Sequence, residues 1–234
     1  MENKVRHIAI IPDGNRRWAK AHARELFLGH EEGAKAIEKI SGEAMRKGIR
    51  YLTVWGLSVD NVTKRSKQEV DFLFALFEKY FTKLLDDPIL SEKNVRVNII
   101  GRWKEFFPDT LQATIQKLIT KTESHQDFTF TFLMAYSGID EMIDTVRAVV
   151  TSSSVLNFRV SEQAIKNNLW TRDLPPVDLV IRTGGEPHWS QGFMMWDVAD
   201  AQLYFTETLW PDFNEEEFSR AIDAYVKRER RFGK

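Results

Sequence analysis

Apolar positions along the chain fall into two alternating periods. Short β-branched or apolar runs at His7–Ile11, 51–57, Val95–Ile100, Phe128–Tyr136 and Leu179–Arg182 predict strands. Between them the apolar residues recur at helical spacing over 33–47, 69–85, 110–124, 140–150 and 161–169. A further apolar run, 193–198, precedes a last helix starting at Glu215 and ending in the basic stretch 227–231. Strand followed by helix, repeated, predicts an α/β fold with a mostly parallel sheet. No repeat, Pro-rich linker or low-complexity stretch divides the chain, and residues 1–234 are expected to form a single domain.

Composition narrows the chemistry. Thirty-three basic and 34 acidic side chains leave a net charge of -1, which argues against bulk attraction to nucleic acid or an anionic membrane. The absence of cysteine excludes disulfides, a thiol nucleophile and Cys-ligated metal, and the five His show no zinc-site spacing. Any metal should be held by oxygen. The first twelve residues carry no signal-type apolar stretch and no membrane-length run occurs, so a cytoplasmic protein is expected.

Ligands of parallel sheets bind beyond the carboxyl ends of the strands. Pro12, Asp13, Gly14, Asn15, Arg16, Arg17 and Trp18 follow the first strand; Ser58, Asp60, Asn61, Lys64 and Arg65 follow the second. The fifth strand ends in Arg182, followed by Thr183, Gly184, Gly185 and Glu186. Guanidinium groups and free backbone N–H donors suit a phosphate or diphosphate, and Asp13 offers an oxygen to Mg²⁺. Neither GxxxxGK[ST] nor GxGxxG is present, so the two common nucleotide loops are not the explanation.

The pattern at 69–85 carries apolar residues around nearly its whole circumference, including Phe72, Phe74, Phe77 and Phe81. Two readings stand: a helix buried on all sides, or one with a face on a cavity for a long apolar ligand. A diphosphate-binding rim beside such a cavity would suit a prenyl diphosphate.

Several segments then point to one family. Residues 7–20 (HIAIIPDGNRRWAK), Gly29-His30 with Gly33, and Asp60-Asn61 followed by Arg65 and Glu69 come first. Residues 178–186 (DLVIRTGGE), 203–205 (LYF), 209–213 (LWPDF) and 228–233 (RERRFG) follow in the family's order. On these the sequence resembles the cis-prenyltransferases, the undecaprenyl diphosphate synthase type of isoprenyl transferase. The resemblance implies a six-stranded, mainly parallel sheet wrapped by helices, an apolar tunnel open at a diphosphate-binding end, and a homodimer. It also implies Mg²⁺-dependent condensation of an allylic prenyl diphosphate with isopentenyl diphosphate, with release of diphosphate, and peripheral membrane contact where the product is long.

Carried over motif by motif, the resemblance makes Asp13 a catalytic residue and Mg²⁺ ligand. The backbone of Gly14, Asn15, Arg16 and Arg17, the Arg17 guanidinium and Trp18 belong to the allylic site, and His30 lies near the leaving group. Asn61, the second catalytic candidate, positions the acceptor and aids proton removal, flanked by Ser58 and Asp60. Arg65 touches the donor side, with Lys64 as its one-residue alternative. Arg182 binds the acceptor's diphosphate with Ser190, and Arg231-Phe232-Gly233 reaches the partner's acceptor site.

This chain also departs from the family pattern. The stretch after Arg182 is one residue longer than usual, and His188 or Trp189 stands where the family has a second Arg. Gln202 replaces a metal-binding carboxylate, with Asp197 and Asp200 nearby, and Leu26 replaces a donor-site Arg that Arg24 is placed to offset. After the fourth strand the family's NYGGR reads AYSGI, at 135–139. Losing one guanidinium–phosphate contact costs about 1.5–3 kcal/mol. An altered acceptor follows: a second allylic diphosphate joined head-to-middle, a short product, ionisation or cyclisation alone, or a non-catalytic isoprenoid-binding or partner subunit.

Overall fold

The computed structural model describes residues 4–152 and 160–227. In chain order the elements are β1 (His7–Ile11), α1 (Asn15–Ala21), α2 (Leu26–Arg46), β2 (Tyr51–Ser58), α3 (Val59–Lys64) and α4 (Lys67–Asp86). Then come α5 (Ile89–Glu92), β3 (Val95–Ile100), α6 (Trp103–Phe106), α7 (Asp109–Thr122), β4 (Phe128–Tyr136), α8 (Gly138–Ser152) and α9 (Glu162–Asn168). The chain continues through β5 (Leu179–Arg182), β6 (Gln202–Phe205), a 3₁₀ turn at Trp210–Asp212, and α10 (Glu215–Lys227).

The six strands form one sheet in the order β3-β4-β2-β1-β5-β6, and every pairing is parallel. Burial follows position in the sheet: every residue of the central strands β1 and β4 is buried, whereas the edge strand β3 alternates. Helices cover both faces, which is why the central strands read as continuous apolar runs. The larger apolar cluster lies between one face and α2, α4, α7 and α10; a smaller one, with Trp55, Tyr136 and Phe193, lies on the other.

The five strands read from periodicity are present. The sixth, Gln202–Phe205, is not among the strands that periodicity predicts; the resemblance implies six. The run at 193–198 forms turns, with Gln191, Gly192 and Met194 all at positive φ. Helix starts were the weakest reading. Ser66 caps α4 by accepting from the Glu69 N–H, so that helix begins before position 69. Helix α2 begins at Leu26 rather than near 33 because Gly29 and Gly33 lie inside it. A Cβ on Gly29 would sit 2.1 Å from the Asn15 carbonyl oxygen, so glycine there lets α2 and α1 approach closely. The predicted basic end of the last helix, with Arg231 and Gly233, lies outside the described residues. Among the described residues no helix is long and apolar enough to cross a membrane.

Candidate active site

Strand β1 has β2 on one side and β5 on the other, so the chain order reverses between β1 and β5. Such a switch point opens a crevice at the carboxyl ends of the strands. Asp13, two residues beyond β1, and Arg182, the last residue of β5, face each other there: Asp13 Oδ2 is 3.2 Å from Arg182 Nη2. Arg17, one turn along α1, brings Nη2 to 3.2 Å from Asp13 Oδ1 and donates through Nη1 to the Gly184 carbonyl. Thr183 fixes the Asp13 backbone, accepting from its N–H at 2.9 Å and donating to its carbonyl at 2.8 Å. Gly14 turns the chain into α1 at φ 118, where a Cβ would come within 3.0 Å of Leu209.

Two adjoining cavities meet at Asp13, which they share together with Pro12, Asn15, His30 and Arg65. The smaller, about 610 Å³, is walled by Gly14 and by the cationic Arg16, Arg17, Lys20, Arg24 and Arg65. The larger, about 760 Å³, begins at a polar mouth with Ser58, Asp60, Asn61, Arg182 and Ser190 and continues between the sheet and α4. Leu76, Phe77, Phe132 and Met134 line its apolar part. Phe72 does not face it, packing instead on Phe27 at 4.5 Å, and Phe74 packs on Phe107 at 4.9 Å. Both readings of the all-round apolar helix therefore hold in part: α4 is packed on several sides and gives one face to a cavity.

Glu69 gathers three groups of the smaller cavity. Its buried carboxylate accepts from Arg65 Nη1 at 3.0 Å, with His30 Nε2 at 3.4 Å and Arg16 Nε at 3.9 Å. Burial and the Arg65 charge lower the His30 pKa to about 4, so the imidazole is neutral near pH 7. Lys64 points out and pairs with Asp60, which leaves Arg65 as the cation at the site. At the mouth of the larger cavity Ser58 accepts from the Asn61 N–H at 3.0 Å as the N-cap of α3, which fixes both residues there.

Arg182 forks. Nη1 donates to the Ser190 hydroxyl and to the His188 carbonyl, each at 2.7 Å, while its buried Nε has no partner among the described residues. Ser190 thus keeps a hydroxyl on Arg182 despite the longer loop. Behind this loop a buried network holds the chain. Tyr136 donates to Glu141 and accepts from the Met194 N–H, and Thr171 bridges Glu141 and Asp197, which also pairs with Lys166. Asp197 is therefore committed away from Asp13.

Two further positions lie apart from these cavities. Trp18 lines neither cavity; its indole donates to Asp212 at 2.7 Å and stacks on His22, tying α1 to the 3₁₀ turn. Gln202 pairs with Leu179, at the start of the strands, whereas Arg182 pairs with Phe205 at their end. Three strand residues, about 10 Å, separate that position from the Arg182 end. For Glu69 the sequence offers only its place four residues after Arg65, and for Trp55 only an aromatic near a strand end. Lys20 and Arg24 line the smaller cavity, so Arg24 does stand beside Leu26.

Among the described residues no group of three or more His, Asp or Glu side chains could cage a metal. Mg²⁺ does not need one, because it commonly uses one or two carboxylates together with substrate phosphates. Asp13, its side chain 36% exposed at the mouth, fits that mode.

Fold and site define a class: parallel α/β proteins whose switch point carries a cationic mouth opening into an apolar cavity. The sequence profile of the family described as "Putative undecaprenyl diphosphate synthase" matches residues 11–233, and the chain belongs to this family. It is an enzyme of the cis-prenyltransferase type, condensing prenyl diphosphates. The tritrans,polycis-undecaprenyl-diphosphate synthase (geranylgeranyl-diphosphate specific) of Pyrococcus horikoshii is 38% identical over 232 residues, 98% of this chain and 87% of that protein. The isoprenyl transferase of Thermotoga maritima is 38% identical over 97% of this chain and 96% of its own. Among solved structures, lavandulyl diphosphate synthase from Lavandula x intermedia, in complex with dimethylallyl diphosphate, superposes with a TM-score of 0.93 at 30% identity, covering 99% of both chains.

Proposed function

We propose that the enzyme binds an allylic prenyl diphosphate with its diphosphate in the smaller, cationic cavity and its tail in the larger, apolar one. The Asp13 carboxylate, held between Arg17 and Arg182 where the two cavities join, is the observation that carries this reading. Arg16, Arg17 and Arg65 hold the donor diphosphate with the first N–H groups of α1, which lack intrahelical acceptors. As the C1–O bond breaks, negative charge grows on the leaving diphosphate, and donors already in place stabilise that charge more than the ground state. Neutral His30 acts beside the leaving group as a hydrogen-bonding group rather than as a cation. Mg²⁺, held by Asp13 and substrate phosphate, supplies further charge stabilisation when bound.

Arg182 and Ser190 hold the acceptor's diphosphate, while Asn61, fixed by Ser58 and flanked by Asp60, orients its double bond. The new carbon–carbon bond joins donor C1 to the acceptor, and one proton leaves the acceptor. Asn61 has no basic atom, so a diphosphate oxygen takes that proton. The reading includes a cytoplasmic homodimer in which Arg231 and Gly233 complete the partner's acceptor site, and peripheral membrane contact if the product is long.

A second reading, head-to-middle condensation of two allylic diphosphates, is favoured by the missing second Arg and by the likeness to lavandulyl diphosphate synthase. The test is diphosphate release from dimethylallyl, geranyl and farnesyl diphosphate, each with and without isopentenyl diphosphate, followed by product chromatography. Release should need Mg²⁺, stop on chelation and fall by about two to three decades in Asp13→Asn. Binding without turnover would instead make the chain an isoprenoid-binding or partner subunit.

A further inference from the structure

Behind the loop after β5 lies a buried cluster of Tyr136 on β4, Glu141 on α8, Thr171 and Asp197. Three oxygen–oxygen contacts link them: Tyr136 Oη to Glu141 Oε2 at 2.5 Å, Thr171 Oγ1 to Glu141 Oε1 at 2.9 Å, and Thr171 Oγ1 to Asp197 Oδ2 at 2.6 Å. Each contact needs a proton between its oxygens, and the two hydroxyls supply only two. The Met194 N–H donates to the Tyr136 oxygen at 3.1 Å, so the phenol proton goes to Glu141, while Thr171 has one proton for two carboxylates. The third proton therefore sits on a carboxyl group. Charge leads to the same result, because among the described residues the only cation paired with either acid is Lys166, on Asp197. A second buried carboxylate would stand uncompensated. Burial raises both carboxyls above their usual range, but only Asp197 has an ammonium against it to oppose the rise. The proton accordingly lies on Glu141 Oε1, which donates to Thr171 Oγ1 and still accepts from the Thr171 N–H at 2.9 Å.

The same cluster holds the loop. Gln191 and Met194 lie at positive φ, unfavourable for residues with side chains, so bonds from outside the loop must keep them there. Tyr136 supplies one at the Met194 N–H. Gly138, at the start of α8, supplies another by donating its N–H to the Gln191 carbonyl at 3.1 Å. Next to Gln191, the Ser190 hydroxyl accepts from Arg182, as does the His188 carbonyl. We propose that Glu141 is a protonated carboxylic acid at neutral pH and, acting through Tyr136, is the positioning residue for the loop that holds Arg182. The proton assignment stands on the three contacts; its effect on substrate rests on the reading of Arg182 given above. The titratable and charged groups facing Glu141 are Tyr136 from β4, Asp197 from the loop and, beyond Asp197, Lys166 from α9. Ionising Glu141 sets a second negative charge beside Asp197 and leaves Thr171 unable to bridge both, so the loop loosens as pH rises.

Infrared spectra of the whole enzyme read the proton directly, because the C=O stretch of a carboxylic acid is separate from the carboxylate and amide bands. Wild type should show such a band at neutral pH, shifted in heavy water and absent from Glu141→Gln. Asp197→Asn should lose it too: its amide donates to Thr171 Oγ1, which frees the Thr171 proton for an ionised Glu141. Loop positioning is read by amide hydrogen exchange over 188–194 and by the KM of the substrate bound at Arg182. Tyr136→Phe should speed that exchange and raise that KM about tenfold, with a smaller change in kcat. The wild-type KM should climb at alkaline pH, and the climb should be smaller in Glu141→Gln, whose neutral amide still faces Tyr136. A wild type without the band, or a band that survives in Glu141→Gln, would overturn the proton assignment. Tyr136→Phe with exchange and KM both unchanged would overturn the positioning role. Spectra and exchange need no turnover, so a wild type that releases no diphosphate yet shows both effects would count against the reading of Arg182 and in favour of the role of Glu141.

Discussion

Asp13 Oδ2 and Arg182 Nη2 lie 3.2 Å apart across the point where the strand order reverses, although 169 positions separate them in the chain. The pair joins the two halves of the site: through Arg17 the carboxylate belongs to the smaller cavity, and through Ser190 the guanidinium is tied to the loop after β5.

Replacing Arg182 by Lys keeps the charge but loses the fork that reaches Asp13, Ser190 and the His188 carbonyl together. The acceptor KM should rise by one to two decades, corresponding to about 1.5–3 kcal/mol for charged hydrogen bonds, with a smaller change in the donor KM. Steady-state kinetics with each substrate varied in turn check this; equal effects on both would assign Arg182 to the shared mouth rather than to the acceptor.

Glu69 touches Arg65, His30 and Arg16, which line the smaller cavity proposed for the donor diphosphate. Glu69→Gln should raise the donor KM about tenfold or more, since a mostly buried guanidinium loses its carboxylate. Glu69→Asp, with a shorter reach, should recover part of the loss. A drop in melting temperature with unaltered donor KM in both variants would show that Glu69 serves stability alone.

Acid should destabilise the fold through His7. Its ring is fully buried, with Nδ1 donating to the Pro175 carbonyl and Nε2 accepting from Thr53, each at 2.9 Å. Burial lowers its pKa from 6.5 to about 4. Between those values the unfolded chain holds a proton that the folded chain refuses, so stability falls as pH drops from 6.5 to 4, by about 3 kcal/mol for this group. His30 adds to the loss in the same window. Glu141 and Asp197, raised by burial, titrate with the opposite sign. Chemical denaturation at pH 7 and pH 4.5 should show a smaller difference for His7→Gln than for wild type; equal slopes would remove His7 as the cause.

Much was determined by the sequence alone. Five strands were legible because strands buried on both faces must be continuously apolar, and β1, β2, β4 and β5 are largely of that kind. Asp13, Asn61 and Arg182 could be named because ligands of parallel sheets gather after strand ends, so position in the chain already implies position in the site. Tertiary structure decided what depends on two distant segments approaching. The start of α2 ahead of Gly29 and Gly33 depends on the close pass of Asn15; the separate directions of Lys64 and Arg65 depend on where Asp60 and Glu69 lie; the place of the Trp18 indole depends on Asp212. Periodicity records which face of an element is buried but not what lies against it, and Trp55 and Trp189 come to line one cavity only when β2 and the loop after β5 meet.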